Sequence, residues 1–306
     1  MELVILKVGC YTAYSLLMEI WFIYALISTV LSGIHSFVVK VAVVRGYSSS
    51  LMNGYMASFA AVIGLVVTGV IEGFVEFSWW MVIVALISGV VVLLSSNYRM
   101  DSLRYIDTTI SLPIHKFISP LLALVLGIIL FNEYLTGFEW LGIMIGILVP
   151  LLLITKAENI RQTDLRKGLI LISVSALLSA IGAAINKVAA DQFITSIFLF
   201  VSLTYVFSAI LGIFLYKKRK PNSISTDIFD LKLLGLSFIG GVLVVIAFST
   251  FMLSFVNGGS LAVVYTITSL YIVIPIVLSV IFYGEHWNYR KIMAVAFSLT
   301  AVFLMG

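Results

Sequence analysis

A run of polar side chains follows one face of an otherwise apolar segment between residues 107 and 131. On a helix, residues three or four apart share a face, so these side chains form one stripe. The stripe consists of Thr108, Ser111, His115 and Ser119. Lys116 lies beside it. Imidazole, ammonium and hydroxyl groups in this arrangement are suited to binding a carboxylate or another anionic group of a small molecule.

Three other apolar segments carry polar side chains at depths where such groups are costly and usually face a cavity. We expect these side chains to complete a binding site with Ser111, His115, Lys116 and Ser119: His35, Ser95, Tyr98, Arg99, Tyr265, Ser269 and Tyr271. Structural alternatives are open for several of them. His35 could bond a carbonyl group within the helix bundle, and His115 could be a helix-packing histidine. Arg99 could pair with Asp101 or with a lipid phosphate near the interface, and Tyr98 could belong to an interfacial aromatic belt.

The composition identifies the elements that must hold this site. The chain has 306 residues, of which 62% are hydrophobic and 10% charged, and its mean hydropathy is +1.18. Soluble proteins carry roughly 25% charged residues, so only a bilayer can serve as solvent for so apolar a chain. Apolar runs of spanning length predict ten helices. They lie at residues 21–44, 51–72, 79–100, 107–131, 137–154, 168–190, 193–216, 232–255, 259–283 and 288–305.

The second part of the chain repeats the first. Residues 87–154 align without a gap on residues 239–306 at an offset of 152. The first span repeats at an offset of 147, where LSGIHSFVVKVA matches LSAIGAAINKVA and Lys40 matches Lys187. Because five spans are an odd number, the second copy enters the membrane from the opposite side. The sequence therefore predicts an all-α membrane protein of ten transmembrane helices, arranged as two inverted five-helix repeats.

The repeat divides the chain into four parts. They are an N-terminal extension without a spanning role (1–20), the first five-helix repeat (21–154), a polar linker (155–167) and the second five-helix repeat (168–306). The last helix of each repeat carries small residues four apart, which should allow close packing on a neighbouring helix. These residues are Gly142 and Gly146 in the first repeat, and Ala294 and Ser298 in the second.

A short polar corner precedes the last helix of each repeat. Thr136, with Glu139 three residues on, predicts a helix-capping box, and Asn288 predicts a second N-cap. Glu133 and Glu285 lie at matching positions in the two corners. Their place just before a helix favours a capping or dipole role over a role in substrate binding.

In these features the chain resembles the drug/metabolite transporter superfamily, in its ten-helix, EamA-type branch. The residues that carry the resemblance are the corners LFNE and FYGE, the lysines ending spans one and six, and the small-residue last helices. The likeness extends from Trp21 to Gly306. It implies transport of amino acids, other small metabolites or drugs. It also implies a cavity lined mainly by spans 1 to 4 and 6 to 9, with spans 5 and 10 behind them.

The charged residues deep in the predicted spans restrict the classes of substrate that we expect. No Asp or Glu lies in the middle of a predicted span, whereas a proton-coupled exporter of cationic drugs normally needs a buried carboxylate. Deep basic groups favour a substrate that bears a carboxylate, so the leading expectation is a secondary active transporter of amino acids or related metabolites. The alternatives are a drug exporter or a sugar-phosphate-type antiporter of the same superfamily. A non-transporting membrane scaffold is the least favoured function.

Other classes of function lack a motif in the sequence. It contains no nucleophile–base pair, metal-ligand cluster or phosphate-binding loop, so we expect no enzyme activity, no cofactor and no metal site. The expected partners are a small-molecule substrate and the lipid bilayer, without nucleic acid, and the chain should act as a monomer. Fourteen of the 18 Lys and Arg residues lie in five alternate loops. The positive-inside rule places these loops in the cytoplasm and both termini outside, in a multi-pass protein of the plasma membrane.

Overall fold

The computed structural model describes residues 2–45, 47, 49–71, 73, 78–102, 105–106, 108–154, 165–193, 197–218, 230–283 and 286–306. Within these residues the regular structure is entirely helical. The helices are α1 (Glu2–Val44), α2 (Ser49–Ile71), α3 (Trp79–Ser102), α4 (Thr108–Phe131), α5 (Gly137–Leu152), α6 (Leu165–Gln192), α7 (Ile197–Lys218), α8 (Leu231–Val256), α9 (Leu261–Ser269), α10 (Val273–Tyr283) and α11 (Tyr289–Met305). A 3₁₀ turn, Leu270–Ile272, joins α9 to α10.

Eight segments of the described chain are long and apolar enough to cross a membrane on their own. One of them comprises α9, the 3₁₀ turn and α10, which together form span nine. Helices α5 and α11 are shorter, with 16 and 17 residues. At 1.5 Å per residue, α5 extends about 24 Å. With these two helices the number of segments equals the ten predicted spans.

Two of the predicted domain boundaries, 20/21 and 167/168, fall inside observed helices. Helix α1 begins at Glu2, so the predicted N-terminal extension continues the helix of the first span, although the spanning part is Ile20–Ala42. Helix α6 begins at Leu165, inside the predicted linker. The remainder of that linker, residues 155–164, lies outside the described residues.

Helices of the first half pack mainly against helices of the second half. The principal pairs are α2 with α7, α1 with α8, α3 with α6, and α5 with α11. When each helix is replaced by its counterpart in the other half, the α1–α8 pair becomes the α3–α6 pair. The structure contains both pairs. The same holds for α2–α8 with α3–α7, and for α4–α6 with α1–α9. The interior between the halves is therefore built from equivalent helices of both.

Small residues allow the close contact between α5 and α11. A Cβ atom added at Gly142 would lie 2.6 Å from Met305 Cγ and 2.9 Å from the Ala301 carbonyl oxygen. On the opposite helix, Ala294 and Ser298 are buried. The predicted packing role of these small residues is confirmed.

The corner between α4 and α5 has the predicted cap and one contact that was not predicted. Thr136 and Glu139 form the capping box at α5, and Asn288 caps α11, as expected. Glu133 also caps a helix, but that helix is α9 in the other half and not the helix that follows it. Glu285 lies outside the described residues.

Proline accounts for the interruption of span nine. Pro275 has no N–H group to donate to the carbonyl four residues earlier, which is that of Tyr271, and its ring crowds that carbonyl. The chain tightens into the 3₁₀ turn at this point and then resumes as α10. Tyr271 is the middle residue of the turn. The sequence thus places a tyrosine where the helix of span nine is irregular.

Candidate functional site

Two neighbouring cavities lie between the halves. The first has a volume of about 260 Å³ and is lined by α1, α2 and α3 of the first half and by α6, α7, α8 and α9 of the second. The second has a volume of about 180 Å³ and is lined by α1 and α4 together with α7, α8 and span nine. Tyr205, Val244, Phe251 and Tyr265 line both, so they form the wall between the cavities.

The structure brings most of the predicted site residues to these cavities. His35, Ser95 and Arg99 line the first cavity, Lys116, Ser269 and Tyr271 line the second, and Tyr265 lines both. The other predicted residues do not line either of these cavities: Tyr98, Ser111, His115 and Ser119. The side chain of Thr108, which began the predicted stripe, lies outside the described residues.

Two cations meet at Tyr271. The Arg99 Nη1 atom donates to the Tyr271 hydroxyl at 3.5 Å, and the Lys116 Nζ atom lies 4.2 Å from the centre of the Tyr271 ring. Within the described part of the chain, no carboxylate bonds to Arg99 or Lys116. A phenol and a ring face compensate buried positive charge only in part. Arg99 in the first cavity and Lys116 in the second can therefore each attract an anionic group.

Two prolines each remove one helical hydrogen bond at Lys116 and Tyr271. Pro120 in α4 removes the hydrogen bond to the carbonyl of Lys116, as Pro275 does for Tyr271. In a membrane, carbonyls freed in this way are tolerated where they are buried in protein or line a water-filled cavity. The Tyr271 carbonyl accepts instead from the N–H of Val273, at the end of the 3₁₀ turn.

A chain of hydroxyl groups connects the first cavity to His115. Ser95 Oγ lies 2.7 Å from Ser179 Oγ, and Ser179 Oγ lies 3.2 Å from His115 Nε2. His115 is only 2% exposed. It lies behind Ser179, so its contact with the first cavity passes through that serine.

The remaining two serine positions have other surroundings. Ser111 Oγ is 2.7 Å from Ser102 Oγ, which joins the start of α4 to the end of α3. Ser119 Oγ donates to the carbonyl of His115 within α4 at 2.8 Å. Both side chains are buried. These bonds stabilise the helices that carry the site.

Several cavity residues did not belong to the predicted site. They are Asn53, Ser179, Asn186, Tyr205, Ser208 and Phe251 in the first cavity, and Ser28, Ser32 and Thr268 in the second. A signal for part of this set was present in the sequence. Ser175, Ser179, Gly182 and Asn186 follow one another at intervals of three or four and therefore share one face of α6.

The fold and the cavities define a helical membrane protein with a polar site between two equivalent halves. The model of the EamA-like transporter family matches residues 19–155 and, a second time, residues 166–306. The chain belongs to the EamA-like transporter family, and it is a membrane transporter of the drug/metabolite transporter superfamily. The resemblance given by the sequence is confirmed.

Comparison with solved structures supports the same fold. One of them, described as "Crystal structure of protein", superposes with a TM-score of 0.71 at 14% sequence identity. The match covers 94% of this chain and 97% of the other. At this identity the likeness shows the fold alone. No curated protein matches the chain.

Proposed function

We propose that this protein is a secondary active transporter of small metabolites that bear a carboxylate, with amino acids as the leading class. The supporting observation is the meeting of Arg99 and Lys116 at Tyr271, where no described carboxylate compensates them. A substrate carboxylate between the two cations would form charge-assisted hydrogen bonds, which are stronger than bonds between neutral groups. The hydroxyl and amide groups of the first cavity would orient the rest of the molecule.

The proposed mechanism is alternating access by two inverted five-helix halves. It is supported by the packing of equivalent helices between the halves and by the position of the cavities between them. Rocking one half against the other around a central site is the usual mechanism of transporters built from inverted repeats. The proposal includes a plasma-membrane location and a monomeric functional unit.

A sugar-phosphate-type antiporter is the second candidate, because two adjacent cations can also bind a phosphate. The described Lys, Arg and His residues at the two cavities, His35, Arg99 and Lys116, all come from the first half. A phosphate held from both halves would need cations from each, so this candidate is the weaker one. A cationic drug is less compatible with the site, since no Asp or Glu of the described residues lines either cavity.

Ligand-induced thermal stabilisation of the purified protein tests the proposal. The screen contains L-amino acids, organic acids, phosphorylated sugars and cationic drugs, each at several concentrations. We expect stabilisation by carboxylate-bearing compounds in the parent and its loss in Arg99→Ala and Lys116→Met. Stabilisation by cationic drugs alone, or an unchanged profile in both variants, would contradict the proposal. Stabilisation by phosphorylated sugars alone would favour the second candidate.

A further inference from the structure

One carboxylate joins the two halves at the end of the molecule opposite to Arg99. Glu133 follows α4 in the first half, and its Oε1 atom accepts a bond from Lys187 Nζ of α6 in the second half. The same atom accepts from the Leu261 N–H at 2.5 Å, and Oε2 accepts from the Ala262 N–H at 3.1 Å. We call this set of contacts the Glu133 gate.

The gate completes the N-terminus of α9. The first N–H groups of a helix have no partner within the helix, and a buried helix end needs other acceptors. Ser260 Oγ accepts from the N–H of Val263, and Glu133 accepts from the two preceding N–H groups. A negative charge at this position is also favoured by the helix dipole. Removal of Glu133 from the helix end therefore exposes donors that only water could satisfy.

The backbone conformation around residue 132 directs Glu133 towards α9. Asn132 has φ of 49°, a left-handed conformation that asparagine adopts more readily than most residues. The N–H of Glu133 bonds back to the carbonyl of Gly127, and a bond of this kind is typical of a helix C-terminus. The carboxylate then lies against Gly127, where a Cβ atom would overlap Oε2. Gly127, Asn132 and Glu133 thus act together to direct one carboxylate across the interface.

The gate lies at the end of the bundle opposite to Arg99 and Asn53 of the first cavity. Arg99 is in the last turn of α3 and Asn53 is near the start of α2, and both helix ends adjoin the loops rich in Lys and Arg. Glu133 and Lys187, by contrast, lie near the ends of α4 and α6 at the other end, which also holds the start of α9. Their side chains are 7% and 13% exposed, so this end is closed.

We infer that the Glu133 gate holds the transporter closed at this end, and that its bonds must break whenever the cavity opens there. The inference rests on the proposed alternating access. Glu133 belongs to one half and all three of its donors belong to the other, so opening of this end by separation of α4 from α6 and α9 must break these bonds. Water entering the opened end would then hydrate the carboxylate, the ammonium and the two N–H groups.

Cysteine accessibility tests the gate without knowledge of the substrate. Ala183 lines the first cavity and lies four residues before Lys187 in α6, so a cysteine there reports on access from either end. Ala183→Cys is introduced into a Cys10→Ser background, which removes the one natural cysteine. A membrane-impermeant maleimide is added to each side of sealed vesicles. A separate Asn222→Cys variant identifies the side that carries the basic loops.

The variants separate the gate from a general effect on the corner. Without further change, Ala183→Cys should react from the basic-loop side only. Glu133→Gln should raise the rate from the gate side at least tenfold, and Lys187→Met should raise it at least threefold because the carboxylate still caps α9. Glu139→Gln is the matched control, since it changes the same charge in the same corner, where the Glu139 carboxylate accepts from the Thr136 N–H. We expect it to leave the rate unchanged.

Each other outcome overturns a defined part of the inference. Labelling from the basic-loop side, with no increase from the gate side in Glu133→Gln or Lys187→Met, would overturn the gate and leave the proposed function intact. Should Glu133→Gln fail to elute as a folded monomer, Lys187→Met alone decides. Absence of labelling from both sides in all variants would overturn the proposed function and the gate together. An equal increase in Glu139→Gln would also overturn the gate.

Discussion

The two halves have equivalent helix packing but opposite chemistry at the cavities. At the offset of 152 residues, Arg99 in the first half corresponds to Phe251 in the second, and Lys116 corresponds to Thr268. Arg99 and Phe251 both line the first cavity, and Lys116 and Thr268 both line the second. The positions that face the cavities are retained, whereas the groups placed there differ. The two halves are therefore similar in backbone arrangement, and their different side chains give a bound molecule a defined orientation.

The second half supplies the aromatic side of the cavities. Tyr205 packs edge-on against Phe248 with ring centres 5.7 Å apart, and Phe248 stacks on Phe251 at 6.4 Å. Phe251 in turn contacts Tyr265 at 6.4 Å. These rings come from α7, α8 and α9. An anionic group should therefore face the first half, while the apolar part of the same molecule packs against the second.

The largest effect should come from removing a cation of the first half. Arg99→Ala should lower the affinity for the best carboxylate ligand about 100-fold, because truncating a buried charged partner costs about 3 kcal/mol. Arg290→Ala is the control: this arginine donates to the Ile154 carbonyl at an exposed site away from both cavities. Titration calorimetry measures both. An affinity of Arg99→Ala within threefold of the parent would contradict the proposed difference between the two halves.

Removal of the Phe251 ring, at the position that corresponds to Arg99, should change the selection of ligands by size more than it changes their affinity. Phe251→Ala removes part of the wall between the two cavities. We expect less than a tenfold loss of affinity for the smallest L-amino acid that binds, and improved binding of those with larger side chains. Thermal stabilisation across a series from glycine to tryptophan measures this. Phe238→Ala, an aromatic truncation at an exposed position of α8, is the control. An unchanged size profile in Phe251→Ala would contradict the prediction.

His115 should have an intermediate effect of about tenfold. Its contact with the first cavity passes through Ser179, so His115→Ala removes a support of the site and not a direct ligand contact. His115→Gln can retain a hydrogen bond to Ser179 and should lose affinity by no more than about threefold. The same calorimetric titration distinguishes the two variants. Equal losses in both would show that the imidazole does more than hold Ser179.

The smallest effect concerns a bond between the halves at the basic-loop end. The Tyr47 hydroxyl donates to Asp230 Oδ2 at 2.6 Å. This bond lowers the pKa of the Asp230 carboxyl and raises the pKa of the Tyr47 phenol. A depressed carboxyl pKa stabilises the fold above the unfolded value of about 3.9, and that contribution is lost as pH falls through the folded value. The raised phenol pKa contributes below about pH 10 and is lost above it.

A pH series measures this contribution. Tyr47→Phe should lower the melting temperature slightly at pH 7, where the Asp230 carboxylate is ionised. The difference from the parent should shrink as the pH is lowered below about 4, because the carboxyl group of the folded parent is then being protonated. A difference that stays constant from pH 7 to pH 3 would show that the bond has no ionic component. Glu139→Gln serves as a surface control without this contact.

Sequence patterns predicted the helices well because length and apolarity decide membrane insertion. They also predicted the caps at Thr136 and Asn288, which depend on neighbouring residues only. Ser179 and Asn186 were missed although their spacing indicated a polar face of α6. The helix capped by Glu133 could not be predicted in the same way. Its N–H groups lie 128 and 129 residues further along the chain, and only the packing of the halves brings them to the carboxylate.

The cation pair at Tyr271 has an electrical consequence. Under the proposed mechanism, an empty site moves the charges of Arg99 and Lys116 through part of the membrane field when the halves rock, whereas an anionic substrate neutralises some of that charge. One elementary charge crossing the full field corresponds to about 2.3 kcal/mol per 100 mV. The membrane potential would therefore act differently on the loaded and the empty protein. Voltage would bias the return step and could set the direction of net flux without a dedicated sensor helix.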